Sequence, residues 1–206
     1  MKAYIYVHGK YGSSEEASFY KDYLEEEVIG FSYLDDESPY LIKERLRSLF
    51  DELKMSYDEV NVIANSIGCY YAYVSLYDKE VNKTMFISPF VHLEKYIDMV
   101  MARFNISLSK LEEEKHIVLE GYEPLDYLFY KFVKENKVKY QKKINVIYGL
   151  EDNLVSYDNI DSFVKENDVI LTTVEKGKHF FIDDFEIKDV VNDDKKRSLN
   201  DILKNM

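Results

Sequence analysis

Short β-branched runs alternate with longer amphipathic stretches along most of this chain. Lys2 to Val7, Gly30 to Leu34, Val60 to Ala64, Lys83 to Ser88, Lys143 to Tyr148 and Val169 to Val174 read as strands. Between them the apolar spacing becomes helical. Ser13 or Ser14 can cap a helix through Glu15, Glu16, Phe19, Tyr20, Tyr23 and Leu24, with its acids at the positive helix start. Pro39 opens a second helix, with Leu41, Ile42, Leu46, Leu49, Phe50 and Leu53 on one stripe. Cys69 to Leu76 and Asn159 to Glu166 supply two more. Strands alternating with helices at these lengths predict an α/β fold, a mostly parallel sheet covered on both faces.

The alternation breaks from Phe90 to Lys142, a stretch of helical composition that contains Tyr96, Met99, Met101, Phe104, Tyr127, Phe129, Tyr130 and Phe132. It is expected to be a helical insertion, and its rings could face the sheet, each other or a pocket. Glu112 to Lys115 reads as a solvated helix face. The charged C-terminal segment ending at Met206 is expected to be helical in part. No repeat, low-complexity tract or linker divides the chain, so residues 1–206 are expected to form one domain, with 90–142 inserted in it.

Composition narrows the classes. A chain of 206 residues with 46% hydrophobic positions can build a core without disulfides or metal. Nineteen tyrosines and 12 phenylalanines, with no tryptophan, predict clefts and a core rich in rings. The single cysteine, Cys69, fits a reducing compartment and is expected to be buried packing. With no signal-like or membrane-spanning apolar run, the expected location is cytoplasmic. A formal charge of −12 disfavours nucleic acid and gives no reason to expect an anionic membrane surface. There is no His-Glu-x-x-His motif and no clustered histidine or paired cysteine, so no metal is expected. No phosphate-cradling glycine motif occurs, and no cofactor is implied.

The chemistry centres on Ala64-Asn65-Ser66-Ile67-Gly68. A serine at a strand-to-helix corner, with small residues two before and two after, has the layout of a nucleophile elbow. The small flanks are required because strand and helix backbones nearly touch there. A serine hydroxyl needs a histidine to take its proton, and the histidine needs a carboxylate to fix its tautomer. Asp152 follows the strand Lys143 to Tyr148, and His179 follows the strand Val169 to Val174. Carboxyl ends of parallel strands are where binding crevices lie. Glu151 and Asp126 are alternative acids. His8, His92 and His116 are the other histidines.

With its serine, acid and histidine in this order on these three loops, the chain resembles the α/β-hydrolases over nearly its whole length. The exceptions are Phe90 to Lys142 and the far C-terminus. The resemblance implies a three-layer fold with a minimal sheet of about six strands, the chain beginning at what looks like the family's third strand. It implies an oxyanion hole from the amide after the nucleophile, Ile67, and from one following the His8-Gly9 pair, Lys10, with Tyr11 the nearest alternative. Ala64 stands where the family's elbow has a glycine, and its small side chain is expected to preserve the turn.

The expected activity is a carboxylesterase-like serine hydrolase with a Ser66–His179–Asp152 triad, acting on a small-molecule ester or thioester. The alternative is a non-catalytic protein of the same fold that binds a partner through 90–142. Substrate identity and oligomeric state are not legible in the sequence.

Overall fold

The computed structural model describes residues 1–21, 23–137, 143–179, 190–192 and 195–197. Strands β1 (Lys2–Val7), β2 (Glu27–Phe31), β3 (Glu59–Asn65), β4 (Thr84–Ile87), β7 (Ile144–Gly149) and β8 (Val169–Val174) form the main sheet with β9 (Val190–Asn192) and β10 (Lys195–Arg197). The spatial order is β10-β9-β8-β7-β4-β3-β1-β2. Six strands run parallel, as the alternation predicts. The last two add antiparallel pairs at one edge. They lie in the C-terminal segment expected from the sequence to be helical in part, and its described residues are strands. The rest of that segment lies outside the described residues.

Side-chain alternation splits each strand between two layers. Ile5, Val7, Val60, Val62 and Ala64 pack with Leu46 and Phe50 of α2 (Pro39–Ser56) and Val74 of α3 (Ile67–Leu76). Tyr4, Tyr6 and Ile63 face the other way, against Ala17 and Tyr20 of α1 (Ala17–Lys21). A 3-10 turn, Ser14–Glu16, leads into α1 and is capped by Ser13 in a reciprocal capping box with Glu16. The strand β2 begins three residues earlier than the apolar pattern indicates. It is an edge strand, where Glu27 can face solvent.

The stretch 90–142 contains α4 (Leu93–Arg103), α5 (Leu108–Glu114) and α6 (Tyr127–Glu135). It also holds a two-stranded hairpin, β5 (His116–Leu119) and β6 (Tyr122–Asp126), which corrects the expectation of a purely helical segment. Gly121, at φ +73°, turns the hairpin. Its residues 138–142 lie outside the described set. Several of its rings face inward. Phe132 is fully buried, edge-on to Tyr40 at 5.0 Å and to Tyr70 at 6.2 Å. Val100, Leu111, Ile117 and Leu125 join the same core cluster as β3. A further helix, α7 (Tyr157–Glu166), closes the layer beside β8.

Candidate active site

Ser66 sits between the end of β3 and the first residue of α3, with φ 52° and ψ −121°. A non-glycine residue held there costs roughly 1–3 kcal/mol and persists only when its surroundings fix it. They do so here through its backbone. The Ser66 amide donates to the Ile87 carbonyl at 2.9 Å, and its own carbonyl accepts from Cys69 at 3.1 Å and Phe90 at 3.2 Å. Gly68 shows why the flank must be small. A Cβ there would lie 2.2 Å from the His8 carbonyl oxygen and 2.5 Å from that of Val7. Ala64 is fully buried, and the elbow is formed with alanine at that position.

Three side chains predicted from the sequence meet at this corner. The Ser66 hydroxyl lies 2.8 Å from Nε2 of His179. Nδ1 of His179 lies 2.8 Å from Oδ2 of Asp152. Since the carboxylate accepts, Nδ1 carries the proton and Nε2 is the acceptor for the hydroxyl. The other Asp152 oxygen accepts the amides of Leu154 at 2.8 Å and Val155 at 2.9 Å. The carboxylate is thus fixed by three donors, with its side chain 0% exposed, and the His179 side chain is 3% exposed. A charge-assisted bond in so enclosed a place is strengthened by the low local dielectric.

The acid and histidine loops are tied together by the Glu151 amide, which donates to the Gly177 carbonyl at 2.9 Å, and by that of Leu150, which donates to Val174. Buried Tyr148 donates its hydroxyl to the Val155 carbonyl at 2.8 Å, bracing the turn that holds Asp152. The alternatives stand elsewhere. Glu151 points to solvent, and Asp126 caps α6 by accepting the Phe129 amide. His116 lies beside Asp126 in the β5–β6 hairpin, and His92 faces Glu166 at 3.8 Å. His8 is stacked on the Tyr33 ring at 4.0 Å and donates Nδ1–H to the Gly9 carbonyl. Cys69 is fully buried, its Sγ 3.1 Å from the Ala64 carbonyl oxygen, and burial raises its pKa, so it stays a thiol.

The turn after β1 distinguishes the two candidate oxyanion donors there. The Tyr11 amide is already taken by Asp35, at 3.1 and 3.3 Å from its two carboxylate oxygens. The amides of Lys10 and of Ile67, the first residue of α3, have no acceptor among the described residues. Gly9 lets this turn approach the elbow: a Cβ there would stand 3.2 Å from the Ser66 Cβ. The Lys10 ammonium does not stand free for an anion, because Glu123 of β6 holds it. Asp35 and Glu123 were not foreseen. Acids are plentiful in this chain, and nothing local marks these two.

No helix among the described residues is long and apolar enough to cross a membrane. No family model matches the sequence, and no curated protein matches it. Solved structures do. Est1E from Butyrivibrio proteoclasticus superposes with a TM-score of 0.68 at 17% identity, covering 88% of this chain and 82% of that one. Alpha/beta hydrolase domain-containing protein 10 from mouse gives 0.66 at 14% identity, covering 89% and 84%. A marine microorganism esterase gives 0.53 at 17% identity, covering 87% and 88%. Together with the sheet order and the strand–Ser66–helix corner, these likenesses show that the chain has the α/β-hydrolase fold.

Proposed function

We propose that this protein is a cofactor-independent serine hydrolase that cleaves an ester-type bond of a small acyl substrate. Residues 1–206 then act as one domain, with 90–142 an insertion beside the site. The observation that carries the reading is the continuous hydrogen-bonded chain from Ser66 through His179 to Asp152.

In this scheme His179 Nε2 takes the Ser66 proton as Oγ bonds to the substrate carbonyl carbon. The carbonyl oxygen becomes an oxyanion, held by the amides of Ile67 and Lys10. Losing one such donor typically costs about 2.7–4 kcal/mol in the transition state. Asp152 keeps Nδ1 protonated and stabilises the imidazolium. That imidazolium returns its proton to the departing alcohol as the carbon–oxygen bond breaks, leaving an acyl group on Ser66. Water, deprotonated by His179, then releases the acid and regenerates the hydroxyl. Carboxylic esters are the first substrate class and thioesters the second. The linked triad favours catalysis over a binding-only protein of this fold. Likeness to a structure named as a marine microorganism esterase supports the same class.

A fluorophosphonate probe tests the reading. Wild type should label stoichiometrically and hydrolyse short p-nitrophenyl esters, while Ser66→Ala should do neither. An unlabelled wild type, or equal labelling of the variant, refutes it.

A further inference from the structure

The candidate oxyanion loop is poorly suited to hold itself in place. It runs from Gly9 to Gly12, with Tyr11 at φ 62°, and its local bonds, from the Gly12 amide at 3.1 Å and from His8 Nδ1–H at 2.7 Å, both end on the Gly9 carbonyl. Glycines at both ends leave its backbone many conformations to lose. Two carboxylates from elsewhere in the chain restrain it. Asp35 accepts the Tyr11 amide, as above. The second, Glu123, accepts the Lys10 ammonium, and its two oxygens each lie 3.5 Å from the Tyr11 hydroxyl. The Lys10 ammonium also stands 5.2 Å from the Tyr11 ring centre, so both side chains and Glu123 form one group.

Glu123 is carried on a supported element. The preceding residue, Tyr122, meets Phe104 edge-on at 5.3 Å and lies under the Arg103 guanidinium at 5.4 Å. Two residues on, Leu125 is buried in the main core, and Asp126 then caps α6. The hairpin is therefore anchored at several points, whereas the loop is anchored at few.

We propose that Glu123 is a positioning residue for the oxyanion hole: by gripping the side chains of Lys10 and Tyr11 it holds the Lys10 amide toward Ser66. This rests on the serine-hydrolase reading and gives the insertion a part in the reaction without placing any of its residues in the triad. Partial burial pulls the Lys10 pKa down, but the Glu123 carboxylate outweighs it and leaves the net value raised. The ammonium therefore stays charged throughout the pH range in which a neutral imidazole can act.

Glu123→Gln keeps the side-chain shape and removes the charge. A partly exposed ion pair supports a change of up to about fivefold in rate. The expected result is a kcat three- to fivefold lower, by that same estimate, with KM and melting temperature unchanged. Hydrogen–deuterium exchange in the peptide spanning 8–13 should quicken. The charge swap Lys10→Glu with Glu123→Lys should recover part of both. High salt, which screens exposed pairs, should bring wild type down toward the variant.

Unchanged exchange in Glu123→Gln overturns the proposal, whatever the activity. So does faster exchange with unchanged kcat, or a raised KM alone, which would mean that Glu123 meets substrate. Failure of the hydrolase reading looks different: wild type itself is then inactive and unlabelled, which removes the catalytic role assigned to Glu123.

Discussion

Gly68→Ala tests the elbow most directly, because the obstruction it meets is the backbone at the end of β1. The added methyl would stand 2.2 Å from the His8 carbonyl oxygen and 2.5 Å from that of Val7, and neither can rotate away as a side chain could. Reaching ordinary contact requires α3 to move off β1 by roughly 1 Å. Overpacking a tight core costs about 1–3 kcal/mol, and rigid neighbours place this case near the top, at about 3 kcal/mol. For a chain of this size that lowers the melting temperature by about 6–12 °C. The chemical loss should be larger than the structural one. Ser66 is two residues before the substitution, and its hydroxyl now lies 2.8 Å from His179. Displacing it by about 1 Å costs up to about 100-fold in acylation. The assay is the pseudo-first-order rate of fluorophosphonate labelling, taken well below the melting transition of either protein. Gly121→Ala is the control. Nothing lies within 4 Å of its added Cβ, so only the positive φ of +73° opposes it. It should lose about 1 kcal/mol and label at the wild-type rate. If Gly68→Ala labels and melts like wild type, the close strand–helix approach does not position Ser66.

Asp152→Asn should keep the fold by circular dichroism but lower labelling and turnover by about 10⁴-fold, since an amide cannot hold His179 in the required tautomer. A residual rate above about a tenth of wild type contradicts that assignment. Ser13→Ala removes the capping box over Ser14–Glu16 and should cost about 1 kcal/mol in urea unfolding, with no change in labelling. Burial lowers the pKa of His92 against the opposing pull of Glu166. In the unfolded chain His92 binds its proton at higher pH than in the folded one. Its contribution is therefore present above the ordinary histidine pKa and lost as pH falls through the folded value. His92→Gln should flatten the fall in stability on the acid side of pH 6.5, measured by urea midpoints at stepped pH. A slope identical to wild type speaks against it.

The parts of the fold that announced themselves are those where burial on both faces forces a plain pattern. Val60 to Ala64 lies in mid-sheet, so every position is apolar or enclosed, and the corner after it is marked by Ser66 and Gly68. Asp152 and His179 could be singled out because each follows an apolar, β-branched run that reads as a strand, although only the run before Asp152 is largely buried. Edges were harder to read. The hairpin of β5 and β6 carries Pro124 and only one buried residue in each strand, Ile117 and Leu125, so its period resembles helix as much as strand. The Glu120-Gly121 turn between the two runs was the available signal. The strand β10, Lys195–Arg197, has no apolar residue at all, and backbone pairing with β9 alone makes it a strand. Asp35 and Glu123 stayed hidden for a different reason. Their roles depend on contacts 24 and 112 or more positions away, where sequence spacing carries no information.

The backbone angle at position 66 implies a conflict between durability and reactivity. Glycine adopts φ 52° without penalty, so a change from serine to glycine there would relax the corner and, on the proposed mechanism, yield a sturdier but inert protein. On the proposed mechanism it is the need for the hydroxyl that sets a β-carbon in a place that the fold alone would leave bare.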